Sequence, residues 1–283
     1  MASPDEGAPA EGSASSILQP VLYLGQRTIN ALRHIGSLLF LFVDASTWLF
    51  RGMRGGRVRL GQAAIVSQVV RVGVRSIIIV SLVSGCIGLI LALQMAPPLD
   101  TYGQKDNIAN IVGVAVLREL GPLIAAVVLT GFAGAAIAAE LGTMAVGEEI
   151  EALEAHALNP IRFLVVPRVV AATASMTALA VIADVVAVAS AMITAAMALD
   201  VSASTFWDHL LLQLKLVDFL TGVGKGAVFG LLIGIVACGN GLKVTGGAAG
   251  VGKATTDTVV ESVVAIIIAD MIFTAIFYAL HLV

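Results

Sequence analysis

SIIIVSLVSGCIGLILALQM, residues 76–95, runs for 20 positions without a charge. About 20 apolar residues in a helix cross the ~30 Å hydrocarbon core of a bilayer. Arg71 and Arg75 stand before the stretch and Pro97-Pro98 after it, so a membrane span from a cationic flank to a helix stop is the expectation. The composition of the other 263 residues agrees. Of the whole 283-residue chain, 58% is hydrophobic and only 12% charged, about half the charge of a soluble globular protein at ~25%. So few charges cannot coat a water-exposed surface. Aromatic residues at 5%, with 29 glycines, favour packed helices over a barrel with aromatic girdles. The expected fold class is an all-α polytopic membrane protein. A net charge of −3 supplies no nucleic-acid surface.

Working outward, Asp100 to Asn107 read as a polar turn, and Ile108 to Ala139 as a second span too long to stand straight, charged only at Arg118 and Glu119. Glu140 to Arg168 is charge-rich and is placed in the cytoplasm. Val169 to Leu199 is apolar around Asp184 and forms one span, or two short passes if it breaks there. Asp200 to Asp218 holds a short amphipathic helix with Phe206, Trp207, Leu210, Leu211 and Leu214. Phe219 to Cys238, with Lys225, is the fourth span, Asn240 to Asp257 a Gly-rich loop, and Val259 to Leu280, with Glu261 and Asp270, the fifth. Upstream, residues 17–50 carry apolar residues at helical spacing interspersed with Arg27, Arg33 and His34, the pattern of an amphipathic helix lying in the interface. Residues 1–16 are small, polar and acidic, a disordered tail with no signal-peptide pattern.

Cations sort by side. Arg51, Arg54, Arg57, Arg59, Arg71, Arg75, Arg162, Arg168, Lys243 and Lys253 fall on one side and only Lys105 and Lys215 on the other. By the positive-inside rule the N-terminus is cytoplasmic, and five membrane segments put the C-terminus outside. The first segment holds Ser81, Ser84, Gly85 and Gly88, so it either crosses straight or forms a re-entrant pair of half-helices.

Ionisable groups at membrane depth are costly, ~2.5–3.5 kcal/mol each at a helix centre, and must face protein or water. Here they are Arg118, Glu119, Asp184, Lys225 and Asp270. Both signs occur, so they form either a polar cavity or ion pairs that hold helix register. Gly222, Gly226, Gly230 and Gly234 line one stripe of the fourth span, a seam for close helix packing. Gly147 to Pro160 reads as a short cytoplasmic helix with Glu148, Glu149 and Glu151 at its N-terminal end and an apolar face of Ile150, Leu153, Ala157 and Leu158. Gly247, Gly252 and Lys253 match G-x-x-x-x-G-K, but Ala254 stands where a Mg²⁺-binding hydroxyl belongs and no strand precedes, so nucleotide binding is not expected. Neither the scattered histidines nor Cys86 and Cys238, read as small buried residues, form a metal site.

Arg118-Glu119-Leu120-Gly121-Pro122, Ala138-Ala139-Glu140-Leu141-Gly142-Thr143-Met144, Glu149-Ile150-Glu151-Ala152-Leu153, Asn159-Pro160-Ile161-Arg162, Val166-Pro167-Arg168 and Gly250-Val251-Gly252-Lys253-Ala254-Thr255-Thr256 resemble, in order and spacing, the MlaE/YrbE family of ABC-transporter permeases. The resemblance runs from about Gly55 to the C-terminus. It implies a non-catalytic permease subunit in the bacterial inner membrane, its C-terminus periplasmic, moving phospholipid or another hydrophobic substrate without a cofactor of its own. The implied partners are a second copy of the chain, a cytoplasmic ATPase, an MCE-domain ring on the periplasmic side and, in many systems, a STAS-domain protein. Residues 17–283 would then form one permease domain, with 17–50 the interfacial helix and 144–160 the helix that couples to the ATPase through Glu148, Glu149, Ile150, Glu151 and Leu153. Arg118, Glu119, Lys225 and Asp270 would form its intramembrane polar network. The chain departs from the family's Gly-Arg-x-Gly-Ser at Phe132 and Ala135, which remove a basic and a hydroxyl group. A different reading of the same charges is an ion-coupled secondary transporter with Glu119 or Asp270 as proton carrier.

Overall fold

The computed structural model describes residues 12–54 and 62–281, and every regular element among them is helical. α1 (Gly12–Arg54) is followed by α2 (Gln62–Val72) and, after a tight turn at Val74–Ser76, by α3 (Ile77–Thr101). α4 (Ile108–Ala115), α5 (Gly121–Leu129) and α6 (Ala135–Val146) make one long helix interrupted by wide π-turns at Val116–Leu120 and Thr130–Gly134. Then come α7 (Glu149–Ala155), α8 (Val166–Ala198) with a π-turn at Ile161–Val165 before it, α9 (Ala203–Gln213), α10 (Leu216–Gly241) and α11 (Gly247–Ala279).

Among the described residues, six helices are long and apolar enough to cross a membrane: Gly25–Gly52, Gln62–Thr101, Lys105–Val146, Ile161–Ala198, Leu216–Gly241 and Gly247–Ala279. Five are the expected spans. The sixth, within α1, packs against α8, α10 and the π-turn before α8. His34 reaches Glu261, Ser37 reaches Lys243, and Leu38 packs at Gly239, while Trp48 stacks with the Arg162 guanidinium. The partners are Glu261 in α11, Lys243 just after α10, Gly239 in α10 and Arg162 in the π-turn before α8.

Four expectations change. The tail was drawn to residue 16, but α1 already begins at Gly12; residues 1–11, Arg57 and Arg59 lie outside the described residues. Pro97 and Pro98 do not end α3, which runs on to Thr101; the Thr101 hydroxyl donates to the Pro97 carbonyl and Gln104 N–H to the Leu99 carbonyl, closing an end where prolines removed two donors. The Gly-rich stretch 240–257 is mostly helix, because α10 extends to Gly241 and α11 starts at Gly247, leaving 242–246 as the turn. Cys86 faces outward, whereas Cys238 is buried. Both open alternatives also resolve. α8 is unbroken through Asp184, and α3 is unbroken through Ser81, Ser84, Gly85 and Gly88; its 25 residues make about 37 Å at 1.5 Å each, enough to cross. The break lies earlier, at Gly73, where a side chain would come 2.7 Å from Ser175 Oγ.

α8 is the central post, packed against α2, α3, α5 and α10. Lipid is as apolar as Leu, so helices associate through close backbone approach and interhelical bonds. α8 accordingly presents Ala172, Ala180, Ala183, Ala187 and Ala191, and Ser190 Oγ donates to the Gly85 carbonyl of α3 at 2.7 Å. The buried residues form two clusters. One surrounds Met176, Leu179, Phe229 and Ile233 on the α7 side; the other gathers Ala92, Ile108, Val112, Ala191, Phe206 and Leu210 at the opposite end. Asp184 sits on α8 between Ala183 of the first and Ala187 of the second.

Candidate functional site: a charged network at membrane depth

The π-turn Val116–Leu120 carries Arg118 and Glu119. Consecutive residues of an α-helix diverge by a hundred degrees, so only one of the two would be expected to meet a given neighbour. The wider turn lets both reach α10. Arg118 Nε donates to Asp218 Oδ1 at 2.7 Å, and the Lys225 ammonium to Glu119 Oε2 at 2.6 Å. Asp218, 1% exposed, also accepts the Lys215 backbone N–H at 2.9 Å, so one carboxylate caps α10 and neutralises Arg118.

Lys225, likewise 1% exposed, is the hub. It stands 2.9 Å from Asp270 Oδ1 of α11, an ion-pair contact outside hydrogen-bonding angle, and donates to Thr274 Oγ1 at 3.2 Å, while Thr274 donates to Glu119 Oε1 at 3.0 Å. The Phe277 ring lies 5.8 Å from the ammonium. Three helices that share few large side chains are thus tied by one cation between two carboxylates. The network is open on one side, for the Glu119 side chain is 35% exposed, next to the apolar outward residues Ile267, Met271 and Ile272 of α11.

Asp184 differs from these. It is 3% exposed and neither carboxylate oxygen has a partner. It lies so close to Gly121 that a methyl group there would overlap Oδ1, and it lines the inner end of an otherwise apolar cavity of about 270 Å³ among Leu117, Val188, Met192, Trp207 and Phe219.

The four glycines of α10 face two neighbours. A Cβ at Gly226 would stand 3.0 Å from Ala180 Cβ, at Gly230 2.6 Å from Met176 Cβ and at Gly234 3.0 Å from Val169 Cα, all on α8; at Gly222 it would overlap the Leu117 carbonyl of the π-turn. That last contact fixes the height of Arg118 and Glu119 against α10.

On the α7 side, Glu148 and Ala157 take left-handed backbone (φ 58° at each) and bracket a helix of only 7 residues. Glu148, Glu149, Glu151 and Glu154 are exposed, as is Leu158, whereas Ile150 and Leu153 pack back on the main core. Ile150 and Leu153 of the apolar face therefore turn toward this chain, while Ala157 and Leu158 of that face, like the acids, are exposed. Gly247, Gly252 and Lys253 sit in the first turns of α11, not in a loop able to wrap a phosphate.

Asp218, Thr274 and Glu140 were not singled out by sequence reading. Asp218 lay at the edge of a loop and Thr274 carries no charge. Glu140, which accepts from Arg71 at 2.7 Å and from the buried Arg168 at 2.9 Å, reads in the sequence as the start of a charge-rich cytoplasmic segment. Its signal was the pair of arginines on otherwise apolar flanks.

A bundle of apolar helices tied by buried ion pairs, with a short acidic helix projecting between two spans, has the build of a transport permease. Residues 65–276 match the family described as Permease MlaE, and this chain belongs to that family. It is 34% identical over 255 residues to a probable ABC transporter permease protein of Rickettsia bellii, covering 90% of this chain and 96% of that protein. It is 34% identical over 212 residues to one from Synechocystis, covering 75% and 81%. The Arabidopsis thaliana protein TRIGALACTOSYLDIACYLGLYCEROL 1, chloroplastic, is 33% identical over 213 residues, 75% of this chain and 61% of that protein. The chain is thus a permease subunit of the ABC-transporter kind, a class whose name implies an ATPase partner.

Proposed function

We propose that two copies of this chain form the membrane core of a transporter for phospholipid or a similarly hydrophobic substrate, driven by a separate ATPase docked at α7. The observation that carries the reading is the one-sided opening of the Glu119–Lys225–Asp270 network. A carboxylate one-third exposed at membrane depth is poorly matched to hydrocarbon. A second copy facing it across α11 encloses that opening together with the apolar face of the helix, giving a chamber with apolar walls and a small polar lining, in which acyl chains are held by dispersion and exclusion of water. ATP binding in the partner moves α7 and squeezes the chamber.

On this reading the chain is the non-catalytic subunit, in the bacterial inner membrane with its N-terminus cytoplasmic and C-terminus periplasmic. Lipid passes to or from an MCE-domain partner outside, and a STAS-domain protein completes some assemblies. The exposed acids of α7 offer a docking surface of negative sign. A glycolipid in the name of the Arabidopsis relative supports a lipid substrate class. Against the ion-coupled alternative stands the pairing of both candidate carriers, Glu119 and Asp270, with Lys225.

Co-expression of the chain with an ATPase of its genome, followed by ATP-hydrolysis assays with and without added phospholipid, tests the proposal. A stable complex with lipid-stimulated hydrolysis is expected. Transport of lipid by the chain alone under a pH gradient would replace this reading with the ion-coupled one.

A further inference from the structure

Outside the network just described, a second charged cluster has an imbalance of sign. α2 carries Gln68 and Arg71, and Arg75 follows in the turn before α3. Facing them across a crevice of about 150 Å³ are Phe132, Ile137 and Glu140. Glu140 is shared by Arg71 and Arg168, and Arg168 is 5% exposed and spends another donor on the Leu164 carbonyl. Arg75 has no hydrogen bond or ion pair among the described residues and lines the same crevice. Three guanidiniums around one carboxylate leave two positive charges in excess. The buried Arg168–Glu140 pair fixes Arg71, whose remaining N–H groups, with those of Arg75, are free to serve a further acceptor.

We propose that this crevice binds the phosphate of a membrane lipid, Arg71 and Arg75 holding the phosphoryl oxygens and Gln68 beside them. Guanidinium forks match phosphate geometry, and basic pockets between membrane helices are a recurring home for phosphorylated head groups. Depth assigns the lipid over a soluble anion. Arg75 is the last charge before the uncharged stretch 76–95, so its guanidinium lies at head-group level. Below it Ile78, Ile79 and Leu82 of α3 are exposed, and Phe132 walls the crevice on the other side. Phe132 departs from the basic residue expected at its position; here the positive charge comes from α2 and the aromatic ring leaves an apolar surface for the upper acyl chain.

The choice of a lipid follows the reading proposed above, but the test needs no ATPase and no transport, so its failure leaves that reading standing. The full chain in detergent is titrated with dioleoylphosphatidylglycerol, with dioleoylglycerol, which lacks the phosphate, and with inorganic phosphate, and bound ligand is counted by native mass spectrometry. Phosphatidylglycerol is expected to bind tightest, with affinity falling about fivefold in Arg75→Gln, the loss of one arginine near an anionic group, and less in Arg75→Lys. Because Arg75 is exposed, Arg75→Gln is expected to keep the wild-type melting temperature. Equal binding of dioleoylglycerol, or unchanged affinity in Arg75→Gln, overturns the site. Inorganic phosphate binding as tightly as the lipid makes it a soluble-anion site and overturns the lipid assignment.

Discussion

At the scale of single residues, the buried acidic and basic side chains among the described residues divide into those with partners and one, Asp184, without. Lys225 lies between two carboxylates, so Lys225→Ala strands both, and breaking a buried pair by removing one partner costs ~3–5 kcal/mol. The expected result is a marked fall in melting temperature in detergent. The triple variant Glu119→Gln, Lys225→Met, Asp270→Asn removes all three charges and is expected to recover most of it. If the network serves helix register, that triple variant also transports; if the contacts exchange during the cycle, it is stable and inactive. Asp184 makes a different prediction. A methyl group on Gly121 overlaps Asp184 Oδ1, so Gly121→Ala destabilises the wild type. In an Asp184→Ala background the same change is tolerated, and the non-additivity, of the ~0.5–3 kcal/mol size seen for residues in contact, is read from a double-mutant cycle of unfolding free energies. Additive effects would mean the two residues do not meet.

At the scale of elements, sequence reading singles out Arg118, Glu119, Lys225 and Asp270 but misses Asp218, the partner of Arg118, and the device that brings these groups together. Hydropathy located five spans, because a bilayer imposes a length and a composition that one chain must satisfy segment by segment. It could not locate π-turns, since an inserted residue leaves an apolar run apolar; yet the π-turn at Val116–Leu120 is what lets Arg118 and Glu119 both reach α10. Helix ends were misplaced where breakers sat in a membrane helix. Pro97-Pro98 reads as a stop and 240–257 as a loop, but α3 runs on to Thr101 and α11 starts at Gly247. Ile150 and Leu153 of the apolar face of α7 pack against this chain's own core, while Leu158 is exposed. Leu153→Asp therefore acts on the stability of this chain. Leu158→Asp and Glu151→Lys, both at exposed positions, are expected to leave the melting temperature within about 1 °C of wild type and to cut ATPase co-purification several-fold, which a pull-down measures. Unchanged pull-down by both would remove α7 as the docking element. On α10, Gly230→Leu drives a side chain into Met176 of α8 and is expected to cost more than the ~1–3 kcal/mol of ordinary overpacking, whereas Gly224→Leu, at an open position of the same helix, is expected to be near neutral. Thermal unfolding of the two variants side by side checks the seam.

At the scale of the whole molecule, the distribution of charge explains more than its amount. Twelve per cent of the residues are charged. Some are spent on a hub that joins α5's π-turn, α10 and α11, some on the Arg71–Glu140–Arg168 cluster at one membrane face, and some on the acidic outer surface of α7. Asp184 stands on α8 between the two apolar clusters, one beside α7 and the other beside α9. As a member of the MlaE permease family, the chain belongs to a class whose name implies a separate ATPase. The most direct measurement places the purified chain with its ATPase in liposomes containing a fluorescent phospholipid and follows transfer of that lipid to acceptor vesicles or a soluble carrier. Transfer that requires ATP, is lost with Leu158→Asp and ignores a pH gradient is the predicted result; transfer that runs without the ATPase, or no ATP-dependent lipid movement from a complex that hydrolyses ATP, would contradict it.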